Sequence, residues 1–155
     1  SDSDLKIMQQ AEAVLHELGV ETEMDVMSAH RTPERVLDYA RGAYERGVAV
    51  IIAGAGGAAH LAGFVAAVSA MPVIAVPIKS SNSIDGWDSI LSMLQMPSGV
   101  PVATVALDGA RNAGILAAQI LSVADPQLHQ RLVDFKEAMK EKVYAASARV
   151  REQAK

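Results

Sequence analysis

Residues 48–61 read Val-Ala-Val-Ile-Ile-Ala-Gly-Ala-Gly-Gly-Ala-Ala-His-Leu, and this stretch decides the fold class. Its first six residues are a short apolar run rich in β-branched side chains, which predicts a buried strand over 48–53. His60 and Leu61 then open a run of small apolar residues that predicts a helix over 61–70. A buried strand, a glycine-rich turn and a helix together form the repeating unit of α/β proteins.

The rest of the chain continues this alternation of strands and helices. We predict helices and strands with these bounds: helices over 4–18, 33–46, 86–95, 110–123 and from Asp125-Pro126 to about 150, and strands over 23–27, 72–78 and 100–107. Such alternation is typical of a doubly wound parallel sheet with helices on both faces, a three-layer α/β/α architecture. We expect a single domain over 1–155, in which 126–155 is a long C-terminal helical extension.

The predicted order begins with a helix, although a doubly wound domain should begin with a strand. Ser1-Asp2-Ser3-Asp4 is a strong capping signal and resembles the middle of a strand-to-helix turn. We therefore expect the first strand to be missing from the sequence given. The alternative is a sheet of four strands.

Composition excludes several classes of protein. Half of the residues are hydrophobic but 4% are aromatic, so the core must consist of Ala, Val, Ile, Leu and Met. The lack of cysteine excludes disulfides, thiolate catalysis and zinc–sulfur sites. The net charge of −4 argues against nucleic acid as a partner. No run of about 18 uncharged apolar residues predicts a membrane span, and a cytoplasmic location fits. The histidines lack ligand spacing, so no metal site is predicted.

Charge is distributed unevenly along the chain. Residues 126–155 hold 7 Lys and Arg but 4 Asp and Glu, whereas the net charge of residues 1–125 is −7. A basic terminal segment on an acidic body suggests docking onto a neighbouring subunit. The alternative is a solvated helix face.

Three polar turns should meet at one edge of the sheet, because ligands of open α/β sheets bind beyond the carboxyl ends of the strands. They are Ser1–Asp4, Ser28–Pro33 and Gly54–His60. Free N–H groups and helix N-termini favour an anion there. The hydroxyl donors and the guanidinium in these turns suit a phosphate monoester and come from Ser1, Ser3, Ser28 and Arg31. Asp4 could accept hydrogen bonds from sugar hydroxyls, although Ser1, Ser3 and Asp4 could instead be ordinary helix caps.

His30 is the best candidate for proton transfer. We expect its imidazole to be partly buried, and both this burial and the adjacent Arg31 would favour the neutral ring near pH 7. His60 opens a helix after the glycine-rich turn and is more suited to lining or positioning than to carrying the proton. His16 and His129 lie in ordinary helix patterns and are expected at the surface.

These sequence blocks resemble the PurE family of purine biosynthesis, in its short bacterial class I form. The resemblance spans almost the whole chain and is carried by Ser1–Asp4, Ser28–Pro33, Gly54–Leu61 with Gly63, Ser89–Pro101 and Asn112-Ala113. It implies a flavodoxin-like domain that assembles as a homo-octamer. It also implies a mutase reaction that moves a carboxyl group from N5 to C4 of aminoimidazole ribonucleotide, without ATP, metal or organic cofactor.

The resemblance also implies roles for individual residues. His30 matches the catalytic histidine, which shuttles a proton while the carbamate releases CO2 and C4 accepts it. Ser1, Asp4 and Arg31 match substrate-binding positions, with Ser3 and Ser28 near the phosphate. The expected lining of the substrate and CO2 pocket comprises Ala29, Gly56, Gly57, Ala58, His60 and Leu61.

Two alternatives to the mutase remain open from the sequence. One is direct carboxylation of aminoimidazole ribonucleotide by CO2. The other is a flavodoxin-like module that binds a nucleotide without converting it.

Overall fold

The computed structural model describes residues 1–153, so the last two residues of the predicted 126–155 extension lie outside the described residues. A single 3-10 turn over Asp2–Asp4 leads into the first helix. The helices are α1 (Leu5–Glu17), α2 (Pro33–Gly42), α3 (Leu61–Ala66), α4 (Trp87–Leu94), α5 (Ala110–Ser122) and α6 (Pro126–Gln153), and the strands are β1 (Ile51–Gly56), β2 (Val73–Ile78) and β3 (Ala103–Thr104).

Within residues 1–153 the strands form one parallel sheet in the order β1-β2-β3. Ile51 lies opposite Val73 and Gly56 opposite Ile78, so β1 and β2 pair along their full lengths. All six residues of β2 are buried, as expected for a central strand covered on both faces. The predicted parallel sheet is therefore confirmed.

Side chains of β2 alternate between two separate hydrophobic clusters. Ile74, Val76 and Ile78 pack with α1, α5 and the start of α6 on one face of the sheet. Val73 and Ala75 pack with α2, α3 and α4 on the other face. Each fully buried side chain of this size contributes about 1.5–3 kcal/mol from the loss of water contact. The predicted flavodoxin-like, three-layer α/β/α arrangement is confirmed.

The alanine-rich α5 lies very close to α1. A Cβ placed on Gly114 would lie 2.8 Å from the carbonyl oxygen of Ala11, so the two backbones approach to a distance that only glycine permits. Ala113 and Ala117 are buried beside this crossing. Small side chains thus let α1 and α5 cover one face of the sheet as a tight pair.

The strand predicted over 23–27 is wrong. These residues have no regular secondary structure, and Met24 and Val26 are 39% and 42% exposed. A strand forms only when a neighbouring strand satisfies its backbone N–H and C=O groups. No strand within residues 1–153 lies beside this segment, so the four-strand alternative also fails.

The bounds of several other elements differ from the predicted ones. β1 begins at Ile51 rather than 48 and continues to Gly56, because β2, its partner, begins at Val73. The predicted strand 100–107 is reduced to two residues, which pair with Ile74 and Ala75. The helices predicted over 33–46 and 61–70 end early, at Gly42 and Ala66.

The long C-terminal helix is confirmed. Leu128 and Leu132 of α6 are buried against α5, whereas every described residue from Glu137 to Gln153 is exposed. Among the described residues, no helix combines the length and the apolar character needed to cross a membrane.

Candidate active site

The turn before α2 is held together by its own hydroxyl groups. Thr32 Oγ1 donates to the carbonyl oxygen of Ser28 at 3.1 Å and accepts from the Ser28 N–H at 3.0 Å. Thr32 is the N-cap residue of α2, but its hydroxyl binds back to Ser28 and makes no cap hydrogen bond to the helix. The turn is therefore fixed independently of α2.

Arg31 is bound to the same turn. Its backbone N–H and its Nε both point at Ser28 Oγ, at 3.2 and 3.5 Å. The serine hydroxyl thus accepts from Arg31 while its own proton stays free to donate elsewhere. Arg31 is exposed, so its remaining guanidinium N–H groups can reach an anion from solvent.

The glycine-rich loop at the end of β1 is closely backed by the loop that follows β2. A Cβ on Gly56 would collide with Ser80 Oγ and would lie 2.8 Å from the carbonyl oxygen of Ile78. Gly57 has φ +65°, and a Cβ there would lie 2.9 Å from Asn82 Nδ2. Ser80 Oγ in turn donates to Asn82 Oδ1 at 2.6 Å.

Ser80 and Asn82 are positions that the sequence analysis missed. A signal for them existed, because they follow β2, the strand next to β1, and parallel neighbours end at the same edge of a sheet. Glycines that allow close backbone approach also imply a close neighbour on the other side.

The two candidate imidazoles are in direct contact. His30 Nε2 lies 2.8 Å from His60 Nδ1, and the ring centroids are 4.9 Å apart with the planes at 75°. One of these nitrogens must carry the proton and the other must accept it. The contact joins the Ser28–Pro33 turn to the start of α3.

His30 is exposed, so the expected partial burial of its ring is wrong. His60 is exposed as well. The reason is tertiary: the imidazoles lie above the carboxyl end of β1, on two turns that face solvent rather than a helix layer. Both rings are therefore accessible from solvent.

The Ser1–Asp4 turn presents one buried carboxylate. Asp4 is 6% exposed and accepts from Ser3 Oγ at 3.0 Å, and its other oxygen lies 3.3 Å from the Ser1 amino group. Ser3 Oγ also lies 3.0 Å from Ser1 Oγ. Ser1 and Asp4 hold the N-cap positions of the 3-10 turn and of α1, but neither makes a side-chain cap hydrogen bond.

This turn lies beside β1 but at a different position from the imidazole pair. Ser1, Asp4, Gly54 and Leu61 line one groove of about 530 Å³ along the outer edge of β1. Of the site residues predicted within 1–153, Ser1, Asp4 and Leu61 are the ones that line it. The structure therefore brings the Ser28–Pro33 and Gly54–His60 turns together at the two histidines. It places the Ser1–Asp4 turn against the groove.

Loops after β2 and β3 are joined at the same edge. Asp108, which follows β3, accepts from the Lys79 N–H at 3.0 Å. Lys79 also forms an ion pair with Asp85, and this partner holds the pKa of the Asp85 carboxyl below its usual range. Within residues 1–153, no three His, Asp or Glu side chains cluster so as to hold a metal ion.

A family model described as AIR carboxylase matches residues 1–142. The chain belongs to the AIR carboxylase family. A protein of Thermotoga maritima named N5-carboxyaminoimidazole ribonucleotide mutase is 53% identical over 150 residues, which cover 97% of this chain and 87% of that protein. These findings confirm the resemblance on which the predicted site depends.

Another relative carries a different name. A Schizosaccharomyces pombe protein named phosphoribosylaminoimidazole carboxylase is 55% identical over 141 residues, which are 91% of this chain and 25% of that protein. The crystal structure of Treponema denticola PurE superposes with a TM-score of 0.83 at 29% identity, covering 96% of this chain and 92% of that one. The fold of this AIR carboxylase family chain is thus that of a solved PurE structure.

Proposed function

We propose that the chain is an N5-carboxyaminoimidazole ribonucleotide mutase, an isomerase of purine biosynthesis. The observation that carries the proposal is the 2.8 Å contact between His30 and His60 at the carboxyl edge of the sheet. The mutase name of the Thermotoga maritima relative supports it across nearly the whole chain.

In the reaction, N5 of the substrate must gain one proton and C4 must lose one. Protonation of N5 breaks the carbamate C–N bond and releases CO2, and C4 of the aminoimidazole then attacks the CO2 carbon. Loss of the C4 proton restores the aromatic ring, so the product is an isomer of the substrate. One acid/base group that gives the first proton and takes the second is sufficient. We assign that role to His30.

His60 acts on His30 through their shared hydrogen bond. When His30 takes up a proton, both of its ring nitrogens are donors, and Nε2–H then donates to a neutral His60 Nδ1. This contact orients the His30 ring and leaves its Nδ1 directed away from His60, as the nitrogen that meets the substrate. His60 is therefore a positioning residue in this proposal.

The remaining predicted residues bind the ribonucleotide. We assign the phosphate to Arg31 and Ser28, with Ser3 nearby, since a forked cation beside hydroxyl donors recognises a phosphate monoester. Ser1 and Asp4 would receive the ribose. The walls around the base and the released CO2 would be Ala29, Gly56, Gly57, Ala58 and Leu61, whose small size permits close enclosure and high effective concentration of CO2 beside C4.

Direct carboxylation of aminoimidazole ribonucleotide is the second candidate, because the Schizosaccharomyces pombe relative is named a carboxylase. Loss of N5-carboxyaminoimidazole ribonucleotide, followed by ultraviolet absorbance with and without bicarbonate, separates the two. The mutase converts this substrate without bicarbonate. Turnover of aminoimidazole ribonucleotide that needs bicarbonate would favour the carboxylase. Binding of the nucleotide without conversion of either substrate would favour the flavodoxin-like module that binds a nucleotide but is not an enzyme.

We further propose that the chain forms a single domain and acts in the cytoplasm. We also propose that it assembles as a homo-oligomer, which the family resemblance implies is an octamer. Apolar side chains on the exposed half of α6 support an interface: Met139, Val143 and Val150 are 45%, 66% and 65% exposed. Val143→Glu should lower the assembled mass in sedimentation, whereas Lys142→Gln should not. An unchanged mass in Val143→Glu would remove this face from the interface.

A further inference from the structure

Asn82 covers the glycine-rich loop on its solvent side. A Cβ placed on Gly57 would lie 2.9 Å from Asn82 Nδ2 and 3.3 Å from both Cγ and Oδ1 of the same side chain. Gly57 is buried although it lies in a loop, whereas Asn82 is exposed. The amide group therefore lies against the loop backbone, at a position where only glycine leaves room for it.

Ser80 fixes the orientation of this amide. Ser80 Oγ donates to Asn82 Oδ1 at 2.6 Å, so Oδ1 is the end of the amide that the protein itself binds. Asn82 Nδ2 carries two N–H donors, and within residues 1–153 neither of them meets an acceptor. The part of the side chain that remains for a ligand is thus a pair of donors.

The segment that carries Asn82 is held by its own backbone. The Ser83 N–H donates to the Ser80 carbonyl oxygen at 3.0 Å, which closes a β-turn with Ser81 and Asn82 at its centre. The Ser80 N–H donates to the Ile78 carbonyl oxygen, also at 3.0 Å, and so fastens the turn to the end of β2. Little ordering of this turn would be needed when a ligand binds, which favours affinity.

The contact between Asn82 and Gly57 lies close to the imidazole pair, because Gly57 precedes His60 by three residues. The His60 N–H donates to the Ala58 carbonyl oxygen at 2.9 Å, so the chain turns tightly between them. Three residues span at most about 10 Å even when extended, and His60 contacts His30 at 2.8 Å. One heterocyclic base that carries a carboxyl group can therefore touch both Asn82 and the imidazole pair.

The ribose and the amide would lie on opposite sides of the glycine-rich loop. Ser1 and Asp4, to which we assign the ribose, line the groove at the outer edge of β1. Asn82 follows β2, which pairs with the other edge of β1. A nucleotide held in this way presents to Asn82 the part of its base that is remote from the ribose. C4 belongs to that part, since it is not bonded to the ring nitrogen that carries the ribose.

We infer that Asn82 Nδ2 binds the carboxyl group of the ribonucleotide, and that Ser80 is the positioning residue that directs this amide. The inference rests on the proposed function, because that function supplies the carboxylated ligand. A hydrogen bond from an N–H group to a carboxylate is charge-assisted and roughly twice as strong as one between neutral groups. Asn82 thus favours nucleotides that carry the carboxyl group over the nucleotide that has lost it.

The test compares the affinities of two nucleotides, the C4-carboxylated product and aminoimidazole ribonucleotide, in buffer free of CO2. Every chain carries His30→Asn, so that neither nucleotide is converted during the titration. Asn82→Asp preserves the size of the side chain, and Ser80 can still donate to it, but the two donors are replaced by a negative charge. We expect the Kd of the carboxylated nucleotide to rise at least about ten-fold, because like charges then face each other.

The Kd of aminoimidazole ribonucleotide should change less than about two-fold in Asn82→Asp, as for an ordinary surface substitution. Ser80→Ala should raise the Kd of the carboxylated nucleotide alone, by about three-fold, because one orienting hydrogen bond is lost. Ser81→Ala, at the exposed neighbouring position of the same turn, is the control and should change neither Kd.

Two results would overturn this inference alone. An equal rise of both Kd values in Asn82→Asp would mean that Asn82 only supports the loop. Two unchanged Kd values would mean that it touches neither nucleotide. Failure of the His30→Asn chain to bind either nucleotide would instead refute the proposed function, and with it the inference that rests on it.

Discussion

His30 Nε2 and His60 Nδ1 lie 2.8 Å apart, although 30 residues separate them in the chain. The contact exists because the turn before α2 and the turn after β1 meet at the same edge of the sheet. Neither imidazole is buried, so the pair is bound mainly by this one hydrogen bond and by the two turns that carry the rings.

Replacing His30 by Asn should abolish turnover while leaving the fold and nucleotide binding largely intact. Loss of a general acid/base costs about 10²–10⁴-fold in rate. The measurement is kcat for N5-carboxyaminoimidazole ribonucleotide beside the binding constant for the nucleotide. The control is His129→Asn, an exposed histidine on α6. Near-normal kcat in His30→Asn would remove His30 from its assigned role.

Replacing His60 by Asn should lower kcat less than the His30 substitution, and should shift the pH profile of kcat. The reason is that the His30 ring loses the partner of its Nε2. A double-mutant cycle checks this, since residues in one hydrogen-bonded unit act non-additively. The double variant should be no slower than His30→Asn alone. Fully additive losses would mean that His60 acts independently.

Arg31→Ala should weaken nucleotide binding by about 1.5–3 kcal/mol, the value of a hydrogen bond to a charged group. This corresponds to a rise in Kd of roughly 10–150-fold, with the secondary structure unchanged. Arg41→Ala, on the exposed last turn of α2, provides the matched loss of a guanidinium. Equal affinities in the two variants would refute the phosphate assignment.

Gly56→Ala should lower the free energy of unfolding by about 1–3 kcal/mol, because the new methyl group overpacks the loop behind it. Adding Ser80→Ala should restore stability only in part, since the Ile78 carbonyl oxygen would still lie 2.8 Å from the new Cβ. Gly42→Ala is the control, where the nearest atom is the flexible end of Arg46 at 3.2 Å. Denaturant unfolding compares the three, and a fully stable Gly56→Ala would contradict the close approach.

The Tyr39 hydroxyl should lose its proton at a higher pH than an ordinary tyrosine does. Burial, followed by the hydrogen bond to Glu23, raises the pKa of Tyr39 to about 12 from 10.0. Because the pKa is raised on folding, the stabilisation is fully present below pH 10 and is lost as pH rises through about 12. The absorbance of tyrosinate at high pH measures this ionisation. Tyr39→Phe should remove the part of the absorbance change that occurs near pH 12. A change of this kind that persists in that variant would belong to another tyrosine.

The Glu23 carboxyl, which accepts the hydrogen bond from Tyr39, makes the stability of the fold depend on pH in the acid range. Hydrogen bonds from Tyr39 and then Arg46 hold the pKa of Glu23 below its usual range. Its contribution to stability is therefore present above the ordinary pKa of a glutamate and is lost as pH falls through the lowered value.

The strands and helices that surround β2 were predictable because each carries its own local pattern. The apolar run at 73–78 and the periodic stripe of α6 need no distant partner to be recognised. The strand 23–27 was mispredicted for the opposite reason: its alternation is genuine, but a strand also needs a neighbour at about 4.8 Å. The two residues of β3 illustrate the same limit at the other edge of the sheet.

The candidate site shows the same division. Ser28, His30, Arg31 and His60 stand out in the sequence because turns between strands and helices collect polar groups and glycine. Ser80 and Asn82 do not, since their role depends on how closely the loop after β2 approaches the loop after β1.

The sequence by itself determined the α/β class, the family and the turns that carry the histidines, because each of these is written in local periodicity and in short motifs. The tertiary structure alone decided that two imidazoles share one hydrogen bond and that both of them face solvent. Hydrogen bonds between distant residues and the pairing of strands depend on relative positions in space, which the order of residues does not state.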